Sequence, residues 1–255
     1  MDKAGSKFSR PVYTLYHLYW SAVDWLYPPT CGGCNKFGER WCHTCQNLVS
    51  PVGPHICLIC GNFNDHGELC PKCRASPPPF ESLRSWGIFL GPLREAIHRL
   101  KYKHDIGLGE ALAKHLIDLF PTTGWKIELI LPVPLSGLRL QERGYNQAAM
   151  LAKPLSLATG IPYKPKAIAR IRNTRAQVGL KASERLENVK DAFLANPDIA
   201  RGKRILLVDD VTTTGATISA CASALKNAGA QSIYGLTLAR SNFGLEPAVF
   251  QEPSL

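Results

Sequence analysis

Eight of the nine cysteines in this 255-residue chain fall between positions 31 and 73, in four C-x-x-C pairs: Cys31/Cys34, Cys42/Cys45, Cys57/Cys60 and Cys70/Cys73. A C-x-x-C turn aims two thiolates at one ion, and two such turns complete a tetrahedral site. The pairs are separated by 7, 11 and 9 residues. Sequential grouping is the simplest arrangement, and a crossed one stays open. A disulfide framework would need an oxidising compartment, and no clean export signal precedes the pairs. A redox site needs one C-x-x-C, not four. The chemistry is therefore that of zinc, about two ions, each held by four thiolates. With no ligand position left for water, the sites are structural, and the metal supplies folding energy to a segment with too few apolar residues for a core of its own. The ninth cysteine, Cys221, shares a helical face with Ile218, Ala222 and Leu225 and reads as a small buried residue.

Residues 1–29 form one unit in this reading, an N-terminal amphipathic helix. Val12 to Val23 is apolar and aromatic, too short to span a bilayer, and closed by Asp24. It has the look of a signal-peptide core, but no small-residue cleavage pattern follows. Packing onto the body of the protein is the plain expectation, with docking on a membrane surface or a partner as the alternative. No transmembrane segment is expected, and the location expected is cytoplasmic. Residues 30–76 form the zinc module, and Ser76-Pro77-Pro78-Pro79 is a stiff break after it.

Residues 80–245 read as an α/β body. A strand or hairpin arm is expected at Phe80–Leu90, and apolar strands at Glu128–Val133, Arg204–Val208 and Ser232–Ala239. Helical spacing marks Leu93–Tyr102, Ile106–Phe120, Tyr145–Thr159 (kinked or divided at Pro154) and Thr217–Ala228, with Gly229 as a stop. Apolar strands alternating with helices indicate a parallel sheet flanked by helices.

The body's chemistry concentrates where Ile205-Leu206-Leu207-Val208 runs into Asp209-Asp210-Val211-Thr212-Thr213-Thr214-Gly215-Ala216-Thr217 and then a helix. Ligands of parallel sheets bind at the carboxyl ends of the strands, and a helix starting there offers free N–H groups to an anion. Gly215 lets the backbone close on a phosphate, and four threonines supply hydroxyls. Two carboxylates would repel that phosphate directly, so they should face hydroxyls or a cation. A ribose diol beside a phosphate monoester, with magnesium nearby, satisfies both. One aspartate could be only an N-cap, but that does not explain a pair. Neither a Walker G-x-x-x-x-G-K-[ST] nor a G-x-G-x-x-G is present.

This segment resembles the phosphoribosyl-diphosphate (PRPP) motif of type I phosphoribosyltransferases. Together with Trp25-Leu26-Tyr27-Pro28-Pro29-Thr30-Cys31, the four C-x-x-C pairs and Arg143-Gly144-Tyr145-Asn146-Gln147, it makes the chain similar to the ComF family over roughly residues 22–240. These are bacterial proteins with a double zinc ribbon ahead of a phosphoribosyltransferase body, tied to DNA uptake in competence. The resemblance implies that Asp209 and Asp210 bind the ribose hydroxyls of PRPP, and that Thr212, Thr213, Thr214, Gly215, Ala216 and Thr217 wrap its 5′-phosphate. It places the diphosphate loop at Val133-Pro134-Leu135-Ser136, leading into Arg139, Arg143 and Asn146. Arg143 joins Asp209 and Asp210 as a candidate catalytic residue, against the plainer reading of a solvated helix-start cation. Magnesium accompanies PRPP, a homodimer is usual for the fold, and the zinc module stands where an acceptor-selecting hood would.

Residues 166–190 correspond to the mobile loop of this fold. From 164 to 204 there are eleven Lys and Arg against four acids. Arg172, Arg175, Lys181 and Arg185 are the candidates there for closing on polyphosphate or for contacting nucleic acid. The net charge of +10 suits either anion. Two functions therefore compete: PRPP-dependent pentosyl transfer, and non-enzymatic binding of single-stranded nucleic acid. DNA-uptake or recombination proteins are the partners the family suggests. Metal analysis of the folded chain is expected to return about two zinc per chain. A metal-free folded protein would remove the ribbon reading.

Overall fold

A computed structural model describes residues 11–64, 68–172 and 192–241. The apolar runs become β1 (Ser82–Ile88), β2 (Leu129–Pro132), β5 (Arg204–Thr212) and β6 (Ser232–Arg240). They form one parallel sheet in the order β1-β6-β5-β2. Because β5 is central and paired on both sides, its side chains alternate between two buried faces. Ile205 and Leu207 join one core, and Leu206 and Val208 join the other.

The second of these cores is covered by α4 (Gly91–Tyr102), α5 (Ile106–Leu119) and α7 (Gln147–Thr159). The first is covered by α9 (Ala216–Asn227) and by the antiparallel pair β3 (Ile168–Arg170) and β4 (Phe193–Ala195), with α8 (Pro197–Ala200) following β4. The hairpin and α6 (Gly137–Arg143) were not expected from the sequence. Nor was the length of β5, which runs through Asp209 and Asp210 to Thr212. Pro154 neither divides nor ends its helix: α7 is continuous through it, with the ring buried.

The cysteine module holds two short helices, α2 (His43–Asn47), capped by Cys42, and α3 (Pro71–Ala75), capped by Cys70. Its two halves dock on opposite sides of β1. Ser50–Val52, between the halves, runs antiparallel to the free edge of β1: Ile88 N–H donates to Ser50 O at 2.8 Å, and Pro51 pairs with Gly87. This covers a strand edge that would otherwise expose unpaired amides. In the first half, Arg99 of α4 donates to the Cys31 carbonyl at 3.0 Å. In the second, Leu83 N–H donates to Ile59 O at 2.7 Å, and Arg240 donates to Cys60 O. All four cysteines of the second half share a core with Leu83, Phe80 and Ile218.

The N-terminal helix α1 (Pro11–Leu26) does lie on the body, against α7. It docks mainly through polar and ring contacts: His17 Nδ1 to Glu110 at 2.9 Å, Asp24 to Arg40, and Lys153 over the Tyr16 ring. Its larger apolar side chains, Leu15, Leu18 and Tyr19 among them, face outward. No helix among the described residues is long and apolar enough to cross a membrane.

Gly61 marks how closely the second half approaches the sheet. Its φ is +67°, and a Cβ there would overlap the Leu83 carbonyl oxygen. Gly61→Ala is expected to destabilise the zinc-loaded protein by about 2–4 kcal/mol in denaturant titration, from backbone strain plus displacement of β1. Gly53→Ala, with open space around the new methyl, should stay within about 0.5 kcal/mol of wild type.

Candidate functional site: a metal-backed pocket at the end of the central strand

The cysteines resolve into two clusters, Cys31/Cys34/Cys42/Cys45 and Cys57/Cys60/Cys70/Cys73, with all four Sγ atoms of each within 4.8 Å of one another. The sequential grouping is therefore the one the fold makes. Cys34 to Cys42 and Cys60 to Cys70 are 3.7 Å apart at sulfur. A zinc–sulfur bond of about 2.3 Å puts tetrahedral ligands about 3.8 Å apart, whereas a disulfide needs about 2.05 Å. Backbone N–H groups of Cys42 and Cys70 point at Cys31 Sγ and Cys57 Sγ, each at 3.4 Å, an arrangement that favours thiolates. Each cluster fits one structural zinc ion.

A cavity of about 530 Å³ opens at the carboxyl ends of β2 and β5. One wall is Asp209, Asp210, Val211 and Thr212 at the end of β5, continuing through Thr213 and Gly215 into Ala216 and Thr217 at the start of α9. A second wall is Val133, Pro134 and Leu135 with Arg139 and Arg143 of α6. A third is α4, which contributes Arg94, His98, Lys101 and Tyr102. Of the wrapping residues expected from sequence, Thr214 alone lies off this lining. Its Oγ1 accepts Ala216 N–H at 3.4 Å and tightens the turn instead.

Gly215 adopts φ +78° at the head of α9, and the nearest groups beneath it are Leu83 and Phe80. Both belong to the core that holds the second cysteine cluster. The loop that faces the cavity is thus backed by a core that the second cysteine cluster shares.

The alternation of β5 gives the two carboxylates different partners. Asp210 leaves the strand on the side of Leu206 and Val208 and meets α4 and α7. Lys101 Nζ lies 2.5 Å from its Oδ2, and Gln147 Nε2 donates to Oδ1 at 3.4 Å. Gln147 in turn accepts from Arg143. Burial alone would raise Asp210, but Lys101, Asp209 and Gln147 hold its carboxyl below the usual range. Asp209 leaves on the side of Ile205 and Leu207. Its Oδ1 accepts Asp210 N–H at 2.9 Å. Burial, then the neighbouring Asp210, pushes its carboxyl well above the usual range. Arg170 of β3, also on the cavity wall, carries a guanidinium whose own pKa is lowered by burial.

Arg143 is not a solvated helix-start cation. It ends α6, is buried, and stands over the Tyr102 ring at 5.2 Å. Asn146 ties the second wall down: its Nδ2 donates to Val133 O at 3.0 Å and its Oδ1 accepts Ala148 N–H at 2.9 Å, capping α7. Arg172 is described and exposed. Arg175, Lys181 and Arg185 lie outside the described residues.

Sequence reasoning missed Lys101 and gave Gln147 no role. Lys101 had one usable signal, since it follows Ile97 by four residues and so shares that residue's inward-facing helix row.

Residues 22–74 match the double zinc ribbon domain family, and residues 107–250 match the phosphoribosyl transferase domain family. The chain is 32% identical over 208 residues to the Haemophilus influenzae protein named competence protein F, covering 78% of this chain and 90% of that one. It is 33% identical over 206 residues to the Escherichia coli K12 DNA utilization protein YhgH, with the same coverage. Competence protein ComFC of Bacillus subtilis is 30% identical over 214 residues, covering 81% of this chain and 86% of its own.

Asn146→Ala should cost about 1 kcal/mol of stability as a lost cap, measured by denaturant titration. It should also release the turn at Val133, which exchange of the amides in Val133–Ser136 with deuterium would report as faster than in wild type.

Proposed function

The chain belongs to the ComF family of phosphoribosyltransferase-like competence proteins, with a double zinc ribbon ahead of the phosphoribosyl transferase domain, and on that premise we propose that it binds PRPP in the 530 Å³ cavity and transfers the phosphoribosyl group to an acceptor with release of diphosphate. The observation that carries this reading is the convergence on one cavity of a helix-start loop suited to a phosphate, a buried carboxylate pair suited to hydroxyls, and two arginines on the facing wall.

In this reading Thr213, Gly215, Ala216 and Thr217, with Thr212 at the end of β5, hold the 5′-phosphate against the positive end of α9. Asp209 and Asp210 accept hydrogen bonds from the ribose 2′- and 3′-hydroxyls. The Pro134-Leu135 turn positions the diphosphate, and Arg139 and Arg143 face its oxygens. As the anomeric carbon–oxygen bond breaks, its electron pair leaves with diphosphate, and the arginines stabilise that charge. An acceptor nitrogen then supplies the pair for the new bond to that carbon, and no side chain need act as nucleophile. The two carboxylates are hard oxygen donors suited to magnesium, which when bound with PRPP neutralises part of the polyphosphate charge.

Calorimetry with PRPP and magnesium should show binding to wild type. Replacing both Asp209 and Asp210 by Asn should weaken it at least about tenfold, as expected for removing the charge of Asp210 and one acceptor oxygen from each residue. Equal affinity of wild type and the double variant would end the proposal.

The net charge of +10 and the competence and DNA-utilization names of the relatives favour a second activity, binding of single-stranded DNA. Affinity for an oligonucleotide should then fall steeply with salt, and charge reversal at Arg172 and Arg175 should weaken it. Affinity indifferent to salt would exclude it.

A further inference from the structure

The cavity is electrostatically lopsided. Among the described residues, Arg94, Lys101, Arg139, Arg143 and Arg170 line it against Asp209 and Asp210. Lys101 is in ion-pair contact with a carboxylate of the pair, Nζ to Asp210 Oδ2 at 2.5 Å. The oxygen it covers is one that the proposed function needs for a sugar hydroxyl or a hard cation. The Asp210 side chain is only 4% exposed, so it depends on this ammonium for its charge balance, while the Lys101 side chain is 22% exposed and reaches solvent.

We propose that Lys101 is a displaceable internal counter-ion: it closes Asp210 in the free protein and transfers to the phosphates when a sugar diphosphate enters with its metal. The inference rests on the proposed PRPP reading and adds an order of events to it. Lys101 occupies the last turn of α4, where its four-carbon stem can swing without moving the helix. The four arginines give the cavity a field that attracts a polyanion and repels a bare divalent cation. A polyanion that brings its own metal supplies both replacements at once, phosphate oxygens for the ammonium and hydroxyls or a cation for Asp210. A bare metal supplies only one and must displace the ammonium from its carboxylate with no phosphate to receive it. The free site therefore excludes metal until substrate arrives.

Lys101→Met keeps the length of the stem and removes the charge, and Lys101→Arg keeps the charge. Mn²⁺ alone, followed by electron paramagnetic resonance near pH 8, should bind Lys101→Met at least about tenfold more tightly than wild type, because one cation has left the immediate neighbourhood of Asp210. Lys101→Arg should match wild type. PRPP in the presence of magnesium should show the opposite order, with Lys101→Met weaker than wild type. Thermal melting identifies folded variants, and Lys101→Gln replaces Lys101→Met if the latter does not fold. Mn²⁺ affinity unchanged or lowered in the folded neutral variant would overturn the inference. Wild type that fails to bind PRPP would overturn the functional reading and the lysine's transfer with it, while the Mn²⁺ comparison would still decide whether Lys101 closes Asp210.

Discussion

A carboxylate taken out of water must find compensation, and the two at the end of β5 find it unequally. The whole arrangement depends on this. Hydrogen bonding of β5 to β6 continues past the apolar stretch, pairing Asp209 with Thr237 and Thr212 with Arg240. The aspartates are therefore held by the ladder rather than by a loop. Burial of an unpaired charge costs several kcal/mol, and the protein meets that cost unevenly. Asp210 keeps its charge through Lys101 and Gln147, and Asp209, buried beside that charge with Asp210 N–H on its Oδ1, is pushed toward the neutral form. Two adjacent residues of one type thus enter the cavity with different electrostatic characters.

The same alternation explains what could and could not be read from the sequence. Ile205-Leu206-Leu207-Val208 is apolar at every position because both faces are covered, which made β5 legible as a buried strand. Its continuation was not legible, since Asp and Thr in a row read as loop, and only pairing with β6 overrides that local preference. α4 and α5 followed from their apolar rows. α6 did not, being seven residues long with its signals in the Ser136 cap and the buried Arg143. The β3–β4 hairpin sits in a basic stretch whose few apolar residues show no period. In the site, the threonine loop and the acidic pair were visible as a motif, whereas Lys101 was invisible as a partner because its contact spans 109 positions of the chain, from 101 to 210.

Metal and pocket are joined by packing rather than by shared ligands. The second cysteine cluster lies in one core with Leu83 and Phe80, and these are the groups beneath Gly215. Arg240, at the end of the strand that pairs with β5, holds the same half through Cys60 O and Asn62. Interiors are close-packed and transmit displacement. A shift of this half would reach the loop through Leu83 and the strand through Arg240. The first cluster instead meets α4 through Arg99, and Trp41 beside it meets His115 of α5 edge-on. Its mechanical link is to the helix that carries Lys101. The two metal sites thus brace different walls of one cavity, the second behind the threonine loop and the first behind the helix that supplies the ammonium facing Asp210.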